Sequence, residues 1–405
     1  MQIHTSEHFL NTDQGQEADA IVRSCVHCGF CNATCPTYQL LGDELDGPRG
    51  RIYLMKQLLE GQTVTRKTQM HLDRCLSCCS CETTCPSGVQ YGRLIDIGRE
   101  LVDRQVARSI ADRIKRFILR KILPFPARFS VLLKTAQRLK PFLPASIKQL
   151  IPDRQRTASW PNRNKLRKML VLAGCAQSVA TPNTNKAAAN ILQKLGIELI
   201  VANDAGCCGA VSYHLSAHEE ALNFMRRNID AWWPIVAKEA EAIVITASGC
   251  GVLIKDYAEL LKHDPDYAEK AKIISECAKD ISEILKKENL AIDRIKSSTI
   301  KIAFQSPCTL QHGQKLDGAV ESLLKGYGFT LTSVDDAHLC CGSAGTYSLL
   351  QKDLSQQLLD NKLTALQKTA PELIVTANIG CQLHLQTQAD VPVKHWIELL
   401  DESFV

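Results

Sequence analysis

Thiolates at fixed spacing are the chemistry this chain displays first. Residues 25–36 read Cys25-x-x-Cys28-x-x-Cys31-x-x-x-Cys35-Pro36, and residues 75–86 repeat the frame as Cys75-x-x-Cys78-x-x-Cys81-x-x-x-Cys85-Pro86. Three cysteines separated by two residues can wrap one iron–sulfur cube, while the fourth, held away by the Cys-Pro turn, reaches the cube nested by the other run. The spacing therefore predicts iron in two 4Fe–4S clusters with exchanged fourth ligands: Cys25, Cys28, Cys31 and Cys85 on one, Cys75, Cys78, Cys81 and Cys35 on the other. Zinc sites also use C-x-x-C pairs, but a zinc ion takes only four ligands and would leave the third and fourth cysteine of each run without a role, twice.

A second pattern appears when the C-terminal half is laid on itself. Cys175, Cys207 and Cys208 recur as Cys308, Cys340 and Cys341 at a constant shift of 133 residues, and Cys250 recurs as Cys381 at a shift of 131. Glycine follows each Cys-Cys pair, and the phrases TASGC (246–250) and TANIGC (376–381) close the two halves. The repeat offers two further sets of four: Cys175, Cys207, Cys208 and Cys250, then Cys308, Cys340, Cys341 and Cys381. Two readings stay open for them. Four thiolates suffice for one more cubane in each half; alternatively they are small buried packing residues around a vestigial site.

Elements must position these sulfurs. Residues 17–24 read as a helix leading into the first run, and PRGRIYLMKQLLE (48–60) as a helix joining the two runs, with Pro48 at its start. From 168 onward apolar β-type runs alternate with helical stretches: KMLVLAG, ELIVAND and AIVITAS, then IKIAF, TLTSVD and ELIVTAN. Cys175, Cys250, Cys308 and Cys381 each lie just beyond a predicted strand, where parallel α/β sheets gather their ligands. The expected fold class is α+α/β, a mostly helical two-4Fe–4S ferredoxin-like domain followed by two repeated α/β domains with parallel sheets. The expected domains are 1–100 for the helical cluster domain, 101–165 for a basic, proline-containing helical linker, 166–295 for the first repeat and 296–405 for the second.

At 405 residues and 18 cysteines the chain has length for several cores. Clustered C-x-x-C-x-x-C thiols argue against a secreted disulfide scaffold and for a reducing compartment. Apolar stretches such as 243–247 and 372–377 are too short to span a bilayer, and no basic-then-apolar leader opens the sequence. The net charge of +5 hides a strong asymmetry: residues 101–170 carry 18 Lys and Arg against three Asp, broken by Pro124, Pro126, Pro141, Pro144, Pro152 and Pro161. Around 110–122, Ile110, Ile114, Phe117, Ile118 and Ile122 fall at helical spacing with Arg113, Lys115, Arg116, Arg120 and Lys121 between them. This stretch is either an amphipathic linker packed on its own domains or a basic face for an anionic membrane or acidic partner subunit. It lacks interleaved stacking aromatics, so no nucleic-acid partner is expected.

With these residues in place, the chain resembles the CCG-domain family of iron–sulfur electron carriers, shared by heterodisulfide reductase subunits, the anaerobic glycerol-3-phosphate dehydrogenase small subunit and lactate-utilisation proteins. Within it the chain is similar to the glycolate oxidase iron–sulfur subunits. That likeness is carried by GDELDGPRGRIYLMKQ (42–57), DRCLSC (73–78), CETTCPSGVQY (81–91), AGCCGAV (205–211), NIDAWWP (228–234), TASGCG (246–251), SPCTLQHGQKL (306–316), HLCCGSAGTY (338–347) and TANIGCQLHL (376–385). The resemblance implies a subunit of an oxidoreductase complex: flavin-binding glycolate oxidase partner subunits hold the only FAD, and electrons pass through two 4Fe–4S clusters to a quinone or similar acceptor. It also implies a cytoplasmic protein, peripheral on the cytoplasmic face of the inner membrane. A thiol–disulfide subunit of the heterodisulfide reductase type, or the electron-transfer subunit of a D-lactate or glycerol-3-phosphate dehydrogenase, are the alternatives. The family closes each repeat with a C-x-x-C pair, but here Ala247 and Asn378 stand at the first position, leaving four cysteines per repeat instead of five.

Other residues carry plainer expectations. Cys79 falls outside the ligand register and reads as a spare thiol, and Cys277 reads as core within a helix AEKAKIISECAKDISEIL. His312 and His338 sit near Cys308 and Cys340 without counterparts in the first repeat, and Trp232-Trp233 reads as packing. There is no phosphate loop, no GxGxxG and no constellation for abstracting hydride from a 2-hydroxy acid, so no catalytic residue is expected.

Overall fold

Two kinds of local grammar, helical around the cysteine runs and alternating strand and helix beyond 166, become two units in the computed structural model, which describes residues 1–155, 159–161, 165–288, 290, 295–296 and 300–404. One unit holds Met1–Phe117 with His214–Ser216 and His338–Lys362; the other holds Ile118–Tyr213, Ala217–Ala337 and Leu363–Val405. The domain boundary expected at 295–296 is flanked by 291–294 and 297–299, and the expected linker includes 156–158 and 162–164, all outside the described residues.

The first unit is helical. Thr12 caps Asp13–Ser24 by accepting from the Gly15 N–H at 3.1 Å, which starts this helix four residues before the apolar pattern at 17 makes it visible. Pro48 opens Pro48–Leu59, as its spacing predicts, and Thr65 with Thr68 forms a capping box on Arg66–Asp73. These helices and Tyr91–Gln105 bury Val22, Ile52, Met55, Leu59, Leu72 and Ile95 in one core. Gly50 is required there: a Cβ on it would meet the Glu44 carbonyl oxygen at 2.1 Å. The two cysteine runs repeat in backbone as well as in sequence. His27 (φ 60°) and Gly29 (φ 88°) in the first correspond to Ser77 (φ 49°) and Cys79 (φ 58°) in the second, so Cys79 takes the left-handed place that glycine fills in the first run.

The second unit contains two parallel sheets of identical order. The first comprises β1 (Arg167–Val171), β2 (Ile197–Val201), β3 (Ala240–Ile245) and β4 (Ala278–Asp280), ordered β2-β1-β3-β4. The second comprises β5 (Lys301–Gln305), β6 (Thr330–Leu331), β7 (Leu373–Thr376) and β8 (Val393–His395), ordered β6-β5-β7-β8. All pairings among these strands are parallel. Each strand order reverses beside β1 or β5, and the crevice of such a sheet opens at that switch point, beyond the strand C-termini. Cys175 follows β1 and Cys250 follows β3; Cys308 follows β5 and Cys381 follows β7. The three-residue β4 and β8 were not expected. The helix expected over residues 268–285 is interrupted at β4, because Asp280 pairs with Ile245 and then caps Ile281–Lys287 through a box with Glu283. Cys277 therefore ends helix Ala268–Cys277 half-buried.

The two sheets share a core in which Val171, Leu199 and Val244 meet Ile302, Phe304, Val375 and Trp396. Helix Asn183–Lys194 is pinned to Trp396–Glu402 by Thr184 on Glu398 and by Asn190 donating to Asp401 at 2.7 Å. In the basic stretch, helix Ile110–Ile122 turns several cations inward. Arg116 pairs with Asp112 at 3.0 Å and Asp73 at 3.2 Å, and Lys121 with Glu220 at 2.6 Å, while Ile110, Ile114, Phe117 and Ile118 are exposed.

His395 ties the second sheet to the first. Fully buried, it donates from Nε2 to the Thr246 carbonyl at 2.8 Å and accepts at Nδ1 from the Ile397 N–H at 3.2 Å, an arrangement open only to neutral imidazole. Burial pushes its pKa down to about 4. The unfolded chain, with histidine near 6.5, binds the extra proton first as pH falls, so stability is full above about 6.5 and declines toward 4, by up to about 3 kcal/mol. Anaerobic thermal unfolding across this window should show a smaller acid loss for His395→Gln than for the native chain; equal pH slopes would contradict the assignment.

Candidate metal centres

Both cysteine runs border cavities within the first unit. One is lined by Cys25, Cys28, Cys31, Cys81 and Cys85 together with Arg49 and Ile52. The other is lined by Cys35, Cys75, Cys78, Cys79 and Cys81 together with Arg51. Each cavity thus draws cysteines from both runs, Cys85 of the second run reaching the first cavity and Cys35 of the first run reaching the second. Pro48, Cys81 and Tyr91 stand in both walls, so the cavities are immediate neighbours.

The thiols crowd one another in the same sets. Burial, then the neighbouring Cys25, Cys28 and Cys85, pushes the Cys31 pKa up to about 11. Burial, then Cys78, Cys75, Cys79 and Cys35, holds Cys81 well above an ordinary thiol. Such sulfurs ionise together only around a cationic core. A single tetrahedral zinc, with Zn–S near 2.3 Å, would need them roughly 3.8 Å apart. Among the described residues the one group of three candidate ligands whose atoms lie within 4.8 Å of one another is Asp43, Asp46 and His71. No three of these sulfurs approach that closely among the described residues, a spacing that suits a cubane better than one ion.

In the first sheet the structure brings the four repeat cysteines together. Cys207 Sγ is within hydrogen-bonding reach of Cys175 and Cys208, and Cys250 of Cys208. The loop is held by partners that spacing did not reveal. Asn228 accepts from the Gly206 N–H at 2.8 Å and donates to the Cys207 carbonyl at 2.9 Å, while buried Tyr257 donates to the Cys208 carbonyl at 2.7 Å. The NIDAWWP phrase carries Asn228 for this purpose, with Trp232 beside it in the core.

The second set is divided between the units. Cys308 immediately precedes the one-turn segment Thr309–Gly313, and Cys381 lies buried in helix Ile379–Gln386; both belong to the second unit. Cys340 and Cys341 pack within the first, where the Gly342 N–H approaches Cys340 Sγ at 3.5 Å and Tyr347 donates to the Arg74 carbonyl at 3.1 Å. Asn378, at the position of the missing cysteine, donates to Cys381 Sγ at 3.5 Å and accepts from the Gly249 N–H at 3.4 Å, next to Cys250. His312 and His338 are half-buried in the segments after Cys308 and before Cys340.

Comparison with known proteins matches this layout. The 4Fe-4S dicluster domain family matches residues 21–89, and the CCG cysteine-rich domain family matches residues 169–255 and 302–386. The glycolate oxidase iron-sulfur subunit of Escherichia coli (strain K12) is 54% identical over 404 residues, covering 100% of this chain and 99% of that protein. The chain belongs to the glycolate oxidase iron–sulfur subunit family. A probable glycolate oxidase iron-sulfur subunit of Bacillus subtilis (strain 168) is 29% identical over 90% of this chain and 88% of its own length. Lactate utilization protein A of the same organism is 24% identical over 58% of this chain. As a member of the glycolate oxidase iron–sulfur subunit family, the chain carries two 4Fe–4S clusters in a helical dicluster domain and two cysteine-rich α/β repeats.

Proposed function

We propose that this chain is the electron-transfer subunit of a glycolate-oxidising complex. In this reading Cys25, Cys28, Cys31 and Cys85 hold one 4Fe–4S cluster, and Cys75, Cys78, Cys81 and Cys35 hold the other. The observation that carries it is the pair of adjoining cavities, each lined by cysteines of both runs, with Pro48, Cys81 and Tyr91 in the shared wall. Such clusters accept and release one electron at a time, whereas oxidation of a 2-hydroxy acid yields two. A flavin in partner subunits divides the pair, and the acceptor beyond this chain is a membrane quinone. Glycolate is favoured over a related 2-hydroxy acid by the full-length likeness to a glycolate oxidase subunit. Cys175, Cys207, Cys208 and Cys250 form the better supported additional cluster site, since their sulfurs approach one another. With Asn378 engaged on Cys381, the five-cysteine disulfide chemistry of heterodisulfide reductases is disfavoured.

Peripheral attachment to a membrane is supported by residues 126–151. This segment exposes Val131, Leu132, Leu139, Phe142 (86% exposed) and Leu150, and carries Arg128, Lys134, Arg138, Lys140 and Lys148 with no acidic residue. Apolar side chains amid cations suit an anionic lipid surface, where each cation contributes about 1 kcal/mol. Among the described residues no helix is long and apolar enough to cross a membrane.

Two outcomes test the reading. In the assembled complex, Cys78→Ser should abolish quinone reduction, by at least about 100-fold if the barrier rises by 3 kcal/mol or more, while single-turnover reduction of the partner flavin by glycolate survives. If the isolated chain oxidises glycolate with an artificial dye, the electron-carrier reading fails. Separately, Leu139→Glu with Phe142→Glu should release the chain from vesicles containing anionic lipid, and binding should weaken as salt rises; co-sedimentation unchanged by both would remove this segment from the membrane contact.

A further inference from the structure

The two cavities differ in charge and exposure, and residues outside the cysteine runs make the difference. Arg51, only 1% exposed, lines the second cavity. Its Nε donates to the His71 carbonyl at 2.7 Å and its Nη2 to Thr37 Oγ1 at 3.1 Å; Thr37 Oγ1 in turn lies 3.3 Å from Cys35 Sγ. Its counter-ion Asp46 is 3.5 Å away and is shared with Arg74 at 2.7 Å and His71 at 3.0 Å. Across the run, buried Arg99 donates to the Cys75 carbonyl at 2.5 Å and to Ser77 Oγ at 2.9 Å, with Asp96 at 3.8 Å. Arg51 and Arg99 are thus buried cations fixed against buried carboxylates, with the half-buried Arg74 on Asp46 as well, so guanidinium charge is held on this side where little water screens it. Tyr91 adds to the same side by donating to Cys75 Sγ at 3.7 Å.

The first cavity is the more exposed of the two, and the charges beside it are reached by water. Arg49 in its wall pairs with Glu44 at 2.6 Å, both side chains a third or more exposed. The Met1 ammonium lies on the Arg23 carbonyl at 3.0 Å in an exposed position and also reaches the Cys25 carbonyl. Cys28 is exposed, and Val26 and Phe30 beside it are 66% and 63% exposed. Water screens charge at such a site far more than at a buried one.

One electron added to a 4Fe–4S cluster adds one negative charge, and a buried cation or a hydrogen bond to sulfur favours that state. We propose that the second cavity holds the higher-potential cluster of the pair, and that Arg51 is the positioning residue whose fixed charge sets this order. The more exposed first cavity, with Val26 in its wall, is then the side on which electrons arrive from a protein donor, and the more buried second cavity the side on which they rest. This deepens the electron-transfer reading and rests on it.

Potentiometric titration of the full chain, followed by spin resonance, tests the order directly, with Cys28→Ser and Cys78→Ser showing which signal belongs to which cavity. The signal lost in Cys78→Ser is expected at the more positive midpoint. Arg51→Gln should move that midpoint to more negative potential and leave the other in place, Arg51→Lys should restore most of the shift, and Arg49→Gln should move neither. The inference is overturned if the signal lost in Cys28→Ser has the more positive midpoint in the native chain, or if Arg51→Gln keeps both clusters and both midpoints. Should Arg51→Gln fail to fold, the native order decides alone. A chain without any reducible cluster would instead sink the electron-transfer reading beneath this inference.

Discussion

A thiolate persists inside a protein only beside a positive centre, and this chain buries most of its cysteines. Cys31, Cys81, Cys207 and Cys250 are all held above the ordinary thiol range by burial and by one another. In the dicluster domain iron supplies the compensating charge, so the energetics that would make clustered thiolates unfavourable make cluster ligands favourable. The left-handed residues at His27, Gly29, Ser77 and Cys79 follow from this constraint, because each run must curl around its cavity within seven residues. Cys35 of the first run lines the second cavity and Cys85 of the second run lines the first. Neither run completes a cavity alone, so helix Pro48–Leu59 and the core around Met55 and Ile95 have to fix one run against the other.

The α/β repeats gather their cysteines by another route. Their strands need only bring cysteines to the switch point beside β1 and β5, which any sequence able to form that parallel order achieves. The loop then needs support, and Asn228 and Tyr257 give it by satisfying the carbonyls of Cys207 and Cys208. Asn378 shows how a lost cysteine is compensated. Its amide bridges the phrase TANIGC to the Gly249 N–H of TASGC, so the position retains a structural role within the shared core.

Sequence carried β1, β2, β3, β5, β6 and β7, because each lies in an apolar run that alternates with helical stretches. It did not carry β4 or β8, which are three residues long and display no period that separates them from the adjoining helices. Nor could spacing tell Arg49 from Arg51. Two positions apart on a helix, they point in directions about 200° apart, so one lines the exposed cavity and the other the buried one, and only packing decides which. For the basic helix Ile110–Ile122 spacing left two readings open, a linker packed on its own domains or a basic outward face; Asp73 and Glu220 engage Arg116 and Lys121 and leave isoleucines exposed. Cys79 looked superfluous because a ligand register has no place for it, whereas the backbone uses it where the first run uses glycine.

The central claim is that each cluster is built across both runs. Its most direct test is spin resonance of the anaerobically reduced chain carrying Cys35→Ser. The account predicts that the signal of the cluster on Cys75, Cys78 and Cys81 is lost or altered while that on Cys25, Cys28 and Cys31 persists. Damage confined to the cluster on Cys25, Cys28 and Cys31, the run to which Cys35 belongs in sequence, would contradict it.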